Sequence, residues 1–239
     1  MLQLPKINIK YWMLMIIATT IGEIVGNLIS RNFELGYSKG SIILSIIYIL
    51  SIALVVKLKK NGLLQYWFLI VAGNIAGTNY ADFITIEPLK LGTIYGSLLI
   101  LALLVFILLI WKFIAPKSNL EGKLSDSIFY LYWLAILMSS TFGTTAGDFL
   151  SNDTPLGAGG GSLLLLGILA VVFLLDKLNK ISFEISYWII LILIHPIGAT
   201  IGNYISKPAG LDLGNIWTSI FLISLFLFLF FKKAYHKHS

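Results

Sequence analysis

The sequence predicts an all-α polytopic membrane protein. Its eight transmembrane helices form four parallel two-helix repeats, with both termini cytoplasmic. Three observations predict this. The chain is 58% hydrophobic and 12% charged, with a mean hydropathy of +0.91, where a soluble domain carries roughly 25% charge. Its apolar runs are spaced for spanning helices: a ~30 Å hydrocarbon core takes about 20 helical residues, so the chain has room for about eight spans and no soluble domain. One pattern of aromatic, glycine and polar positions recurs four times in register. Together these exclude a soluble globular enzyme, a disordered chain and a disulfide-stapled domain. With no cysteine at all, thiolate metal sites and thiol nucleophiles are excluded too.

The apolar runs place the spans at 11–30, 40–57, 65–86, 94–113, 128–150, 159–176, 186–206 and 215–231. The first resembles a signal peptide, with Lys6 and Lys10 ahead of it. Glu23 interrupts it, however, and no small-residue cleavage site follows, so it is expected to stay in the mature protein. Orientation follows from the loops. The N-terminus, the even-numbered loops and the C-terminus carry Lys6, Lys10, Lys57, Lys59, Lys60, Lys112, Lys117, Lys123, Lys177, Lys180, Lys232, Lys233 and Lys237. The odd-numbered loops carry only Arg31, Lys39, Lys90 and Lys207. By the positive-inside rule, the net charge of +6 marks topology rather than a nucleic-acid partner.

A Tyr-Trp pair opens each odd-numbered span: Tyr11-Trp12, Tyr66-Trp67, Tyr132-Trp133 and Tyr187-Trp188. These residue types favour membrane interfaces, so the pairs are expected to mark the inner face. Eleven residues after each Tyr stands Gly22, Gly77, Gly143 or Gly198, and four further on Gly26, Ala81, Gly147 or Gly202. Such small-xxx-small pairs let helices approach closely. The chain therefore reads as one transmembrane domain over 1–239, with repeat units 11–60, 66–115, 128–180 and 187–233 and a polar linker around 116–126. In the even-numbered spans, residues 98–110 and 163–175 are almost wholly aliphatic and aromatic, without a polar face, and these spans are expected to form the lipid-facing layer.

At about 100° per residue, offsets 8, 12, 16 and 19 from each Tyr share one helical face. They hold Thr19, Glu23, Asn27 and Ser30 in the first unit and Asn74, Thr78, Asp82 and Thr85 in the second. Ser140, Thr144, Asp148 and Ser151 follow in the third, and His195, Ala199, Asn203 and Ser206 in the fourth. Polar faces in lipid must meet one another or water, which leaves two readings open, a central path and a purely structural polar core. Glu23 lies about 18 Å along its helix, near mid-membrane, where an ionisable group is a functional candidate. Asp82 and Asp148 lie near helix C-termini, whose partial negative charge disfavours them by roughly 0.3–1 kcal/mol. They therefore call for a cation or hydrogen-bond donor, and are candidate ligands for a metal. His195, just before Pro196, is a candidate proton relay or metal ligand, and Pro196 is expected to kink its span. His236 and His238 read as surface residues.

The strings GTTAGDFLSNDTPLGAGGGSLLL (143–165), IHPIGATIGNYISKPAGLDLG (194–214) and GTNYADFITIEPLKLGTIYGSLLI (77–100) resemble bacterial integral membrane proteins built from a repeat of unknown function. The resemblance covers the chain as four copies and implies no activity. In that family the position of Asp82 and Asp148 is often Asp, from which Asn27 and Asn203 depart, and the position of His195 is commonly Arg.

No HExxH, Walker loop or G-x-S-x-G motif is present, so an enzyme is not expected, and no cofactor is. The leading expectation is a secondary transporter or channel-like permease of the bacterial cytoplasmic membrane, carrying a small cation or a proton-coupled solute. Its path would run along Glu23, Asn27, Asn74, Thr78, Asp82, Thr144, Asp148, His195 and Asn203. The alternatives are a non-transporting scaffold or subunit with a structural polar core, and an exporter of small organic molecules. The expected partners are the lipid bilayer and that small cation or solute, with no nucleic acid.

Overall fold

The computed structural model describes residues 4–33, 35–58, 62–115, 120, 124 and 126–232. Lys59, Lys60, Lys117, Lys123, Lys233, Lys237, His236 and His238 lie outside the described residues, as do the tips of two repeat units and most of the linker. The described chain is all-α. Its helices are α1 (Ile9–Asn27), α2 (Tyr37–Leu58), α3 (Leu63–Thr85), α4 (Gly92–Ile114), α5 (Asp126–Asn152), α6 (Gly157–Lys177), α7 (Phe183–Ser206) and α8 (Gly214–Phe231), with a π-helical turn at Leu28–Asn32 after α1.

Local chemistry sets the boundaries. Asn8 caps α1, its side chain accepting from the Tyr11 amide at 3.0 Å. Each odd-to-even connection turns through a glycine with positive φ: Gly36, Gly92, Gly157 and Gly214 lie between 62° and 71°. That region is cheap for glycine alone. α7 runs through Pro196 as one helix from Phe183 to Ser206.

Seven of the eight helices are long and apolar enough to cross a membrane, one fewer than the sequence suggested. The exception is α3, whose mean hydropathy is lowered by Asn74, Asn79 and Asp82. All three are buried inside the bundle, so their polarity is not turned to lipid.

Helices α1, α3, α5 and α7 pack in a closed ring, each against the next and α7 against α1. About two thirds or more of the spans of α1, α5 and α7 are buried, against a third or less of α2, α4, α6 and α8. The even helices form the outer layer, studded with exposed Ile, Leu and Phe such as Ile42, Phe106 and Phe228. They rest mainly on the next inner helix rather than on the one they follow. α2 packs on α3, α4 on α5, α6 on α7, and α8 returns to α1. Sequence neighbours α1 and α2 share little contact among the described residues, so a simple stack of hairpins is not what the packing shows.

The tyrosines are turned into the ring rather than toward lipid. Tyr11, Tyr66, Tyr132 and Tyr187 are buried inside the ring, where their hydroxyls close a cycle of hydrogen bonds of 2.7, 2.8, 2.7 and 3.0 Å. Each tyrosine ring also lies against the tryptophan of the next inner helix, with centroids 5.5–6.0 Å apart. One turn further along each helix, Met15, Ile70, Ile136 and Leu191 are fully buried. One end of the ring is thus sealed by an apolar layer capped with four phenols.

Candidate functional site: a polar axis opening into a vestibule

Glycines bring the four polar faces together. A Cβ added to Gly22 would lie 2.4 Å from Asn74 Cβ, and one on Gly143 would lie 2.2 Å from His195 Cβ. Gly77 meets Ser140 and Gly198 meets Thr19 in the same way. Each of these glycines therefore receives the offset-8 side chain of the next inner helix. A turn later Gly26 receives Thr78, Gly147 receives Ala199 and Gly202 receives Glu23. Ala81, the fourth member of that row, is buried. Such approach distances exclude any side chain with a Cβ at the first four positions unless the helices part.

The axis is built in layers above the tyrosine seal. In the first, His195 Nδ1 lies 2.7 Å from the Leu191 carbonyl oxygen. That oxygen can only accept, so Nδ1 carries the proton. Ser139 Oγ lies 3.1 Å from the same nitrogen, and Nε2 faces the Asn74 side chain at 3.2 Å. The Asn74 atom at that distance is Oδ1, which only accepts, so a ring protonated on Nδ1 alone makes this bond only when the amide is turned to present its nitrogen. Ser140 donates to the Asn74 backbone oxygen at 3.3 Å, and Thr19 donates to Ile16 at 2.8 Å.

Glu23 forms the second layer and is buried. Thr144 donates to Oε2 at 3.0 Å and Asn27 donates to Oε1 at 2.8 Å. Thr78 stands 3.2 Å from Thr144, hydroxyl to hydroxyl. The Thr78 hydroxyl also donates to the Asn74 backbone oxygen at 3.2 Å, so with Thr144 donating to Glu23 its one proton is shared between Asn74 and Thr144. Both carboxylate oxygens are therefore held by donors, and neither contacts a cation.

The third layer holds Asn27, Asp82, Asp148 and Asn203, one from each inner helix, all buried. Arg31 Nη2 lies 3.2 and 3.3 Å from the two Asp82 oxygens. Asp148 Oδ1 accepts from Asn203 at 2.9 Å and from Asn152 at 3.4 Å, with Lys207 Nζ 3.6 Å away. The cation that the two aspartates called for is thus supplied by the turns following α1 and α7. Among the described residues no group of three or more His, Asp or Glu is placed to hold a metal ion.

Above this layer Ser30 and Thr85 hydrogen-bond within their own helices, to Gly26 and Ala81, while Ser206 is buried without a partner and Ser151 is half-buried. A vestibule of about 630 Å³ opens here, lined among others by Arg31, Tyr37, Thr85, Asp148, Asn152 and Lys207. The residues of the expected path thus stand in successive layers on the four inner helices.

Sequence reasoning missed Arg31, Lys207, Ser139 and Asn79. Asn79 lies off the stripe and donates across to the Gly26 carbonyl at 3.3 Å. Arg31 and Lys207 were legible by offset. Both stand twenty residues after their tyrosine, in the two units whose offset-16 residue is Asn rather than Asp.

Residues 131–181 match the family described as Repeat of Unknown Function (DUF347). The matched stretch runs from Leu131, beside Tyr132, through the rest of α5 and all of α6. It is an inner helix together with the outer helix that follows it, so the resemblance read from the sequence holds for this unit. No curated protein and no solved structure matches the chain.

Proposed function

We propose that this chain is a secondary transporter or channel-like permease, with its path along the axis of α1, α3, α5 and α7. It is a multi-pass protein of the bacterial cytoplasmic membrane, made of four two-helix units with both termini cytoplasmic. The lysine bias of the loops supports that orientation, which puts the tyrosine seal inside and the vestibule outside. A single observation carries the reading. Four polar faces converge on one line that is open at one end to a 630 Å³ vestibule and closed at the other by phenols. A polar interior that runs from an aqueous mouth to mid-membrane and stops at an apolar seal has the form of an outward-facing state. The cargo is a small cation or a solute moved with protons. Glu23 is the central ionisable group, with Asn27, Asn74, Thr78, Thr144, His195 and Asn203 lining the route and Asp82 and Asp148 at its mouth.

One observation favours a structural polar core instead: most of these side chains hydrogen-bond to one another. Flux separates the two. Purified protein in liposomes is tested with a panel of alkali and alkaline-earth cations and small amines, with and without a pH gradient. Transport that is lost in Glu23→Gln, with the fold intact, supports the path. No flux of any probe, with Glu23→Gln as stable as the parent, overturns it in favour of the scaffold.

A further inference from the structure

Five charged side chains share the upper axis: Glu23, Asp82, Asp148, Arg31 and Lys207. Asp148, Lys207 and Asp82 all act electrostatically on Glu23, and Arg31 feels all three carboxylates. Asp82 is matched by Arg31 and Asp148 by Lys207. Among the described residues Glu23 makes no ion pair of its own, so three carboxylates share two cations. With all three ionised, one negative charge is in excess in a buried site, which is costly unless a positive charge joins it. His195 is the other titratable group on the axis. It lies a layer below, bound to Leu191 and Asn74, and does not touch Glu23.

A second observation is independent of the carboxylates. Asn27 Oδ1 and Asn203 Oδ1 have no hydrogen-bond donor among the described residues, and these side chains are only 3% and 1% exposed. Asn27 spends its amide nitrogen on Glu23 and Asn203 spends its own on Asp148. The oxygen of each amide is therefore left without a donor, in the layer next to Glu23. Two neutral oxygens without donors, next to one uncompensated carboxylate, make a site rich in acceptors and short of one positive charge.

We infer that the axis binds one monovalent alkali cation at this level, held by Glu23 and by the amide oxygens of Asn27 and Asn203, with Asp148 alongside. All the donors are hard oxygens, which suit such an ion. The excess of one charge selects a monovalent over a divalent ion. This moves the ion from the Asp82–Asp148 pair suggested by the sequence to a site one layer deeper. The inference rests on the reading of the axis as a path and names its coupling ion.

The test is thermal unfolding of the purified full chain in detergent, in sodium, potassium or choline chloride at equal ionic strength and fixed pH. The expected result is a midpoint about 3 °C or more higher in one alkali chloride than in choline. Glu23→Gln removes the excess charge. It is expected to be at least as stable as the parent in choline and to lose the alkali effect. Asn203→Ala weakens the effect and the distant exposed Lys112→Gln keeps it. Should Glu23→Gln fail to fold, binding of radioactive sodium or potassium to the parent and to Asn203→Ala gives the same readout. Equal midpoints in alkali and choline chloride, with no bound radioactive cation, overturn the inference. If pH alone then shifts the midpoint, the excess charge is met by a proton. An alkali effect without flux keeps the site and overturns the transport reading, whereas flux without an alkali effect overturns the site alone.

Discussion

Arg31, the only arginine in the chain, reaches from the turn after α1 to Asp82 on α3, with Nη2 3.2 Å from Oδ1 and 3.3 Å from Oδ2. The Asp82 side chain is 1% exposed and that of Arg31 36%. Removing the arginine leaves a buried, uncompensated carboxylate, which typically costs about 3–5 kcal/mol. The partial exposure of Arg31 puts the expected loss for Arg31→Gln near the lower end, about 3 kcal/mol. Arg31→Gln combined with Asp82→Asn is expected to recover most of it. Unfolding midpoints of the two single variants and the double variant in detergent check this cycle.

Gly143 and Gly167 give a matched pair. A methyl group at 143 would lie 2.2 Å from His195 Cβ, while one at 167 meets nothing within 4 Å. Gly143→Ala must push α5 and α7 apart, and overpacking of this kind costs about 1–3 kcal/mol or more. Gly167→Ala is expected to be neutral or stabilising by up to about 1 kcal/mol through helix propensity. Equal midpoints for the two variants would remove the close-approach role of the inner glycines.

The tyrosine cycle sets a third expectation. Tyr66 is bonded to Tyr11 at 2.7 Å and to Tyr132 at 2.8 Å. Tyr66→Phe breaks two of the four bonds and leaves two buried hydroxyls each short of a partner, at about 1–3 kcal/mol. Tyr95→Phe on the exposed face of α4 is expected to change nothing. If the ring is the inner seal, Tyr66→Phe also raises passive leak of small cations from loaded liposomes. Leak equal to that of the parent would remove its sealing role.

His195 and Asn74 supply a fourth. Among the described residues, their contact at 3.2 Å is the only hydrogen bond between the Asn74 side chain and another residue. His195→Phe keeps the bulk and leaves the Asn74 amide buried without a partner, a loss of about 1–3 kcal/mol. His195→Gln restores a partner and is expected to recover part of the loss. Equal midpoints for the Phe and Gln variants would show that the imidazole only fills space.

The spans, the fourfold register and the polar faces were legible because each is a local property. Runs of apolar residues give length, and the shared offsets give one face. Packing partners were not legible. Periodicity names the face that Ile42 or Phe106 turns outward, but not the inner helix beneath, so the rest of α2 on α3 rather than on α1 could not be read. The burial of the Tyr-Trp pairs was not legible for a related reason. Their composition suits a lipid interface, and it suits a buried hydrogen-bonded ring equally well when four copies converge. Arg31 and Lys207 were counted as loop charges for topology. Only the alternation of Asn with a following cation in units one and four, against Asp in units two and three, signals their pairing across helices.

The central claim is that the polar axis is a solute path and not a sealed polar core. The chain has no cysteine, so a single introduced thiol reports its own access without background. Thr144→Cys lies in the Glu23 layer, 3% exposed in the parent. The decisive measurement is its labelling by a membrane-impermeant thiol reagent added to one face or the other of oriented vesicles. A path requires the thiol to react from the vestibule side, and, as the seal opens during turnover, from the tyrosine side as well. A thiol at 144 that reacts from neither side, in a folded protein whose control thiol in the vestibule at Thr93→Cys labels readily, would contradict it.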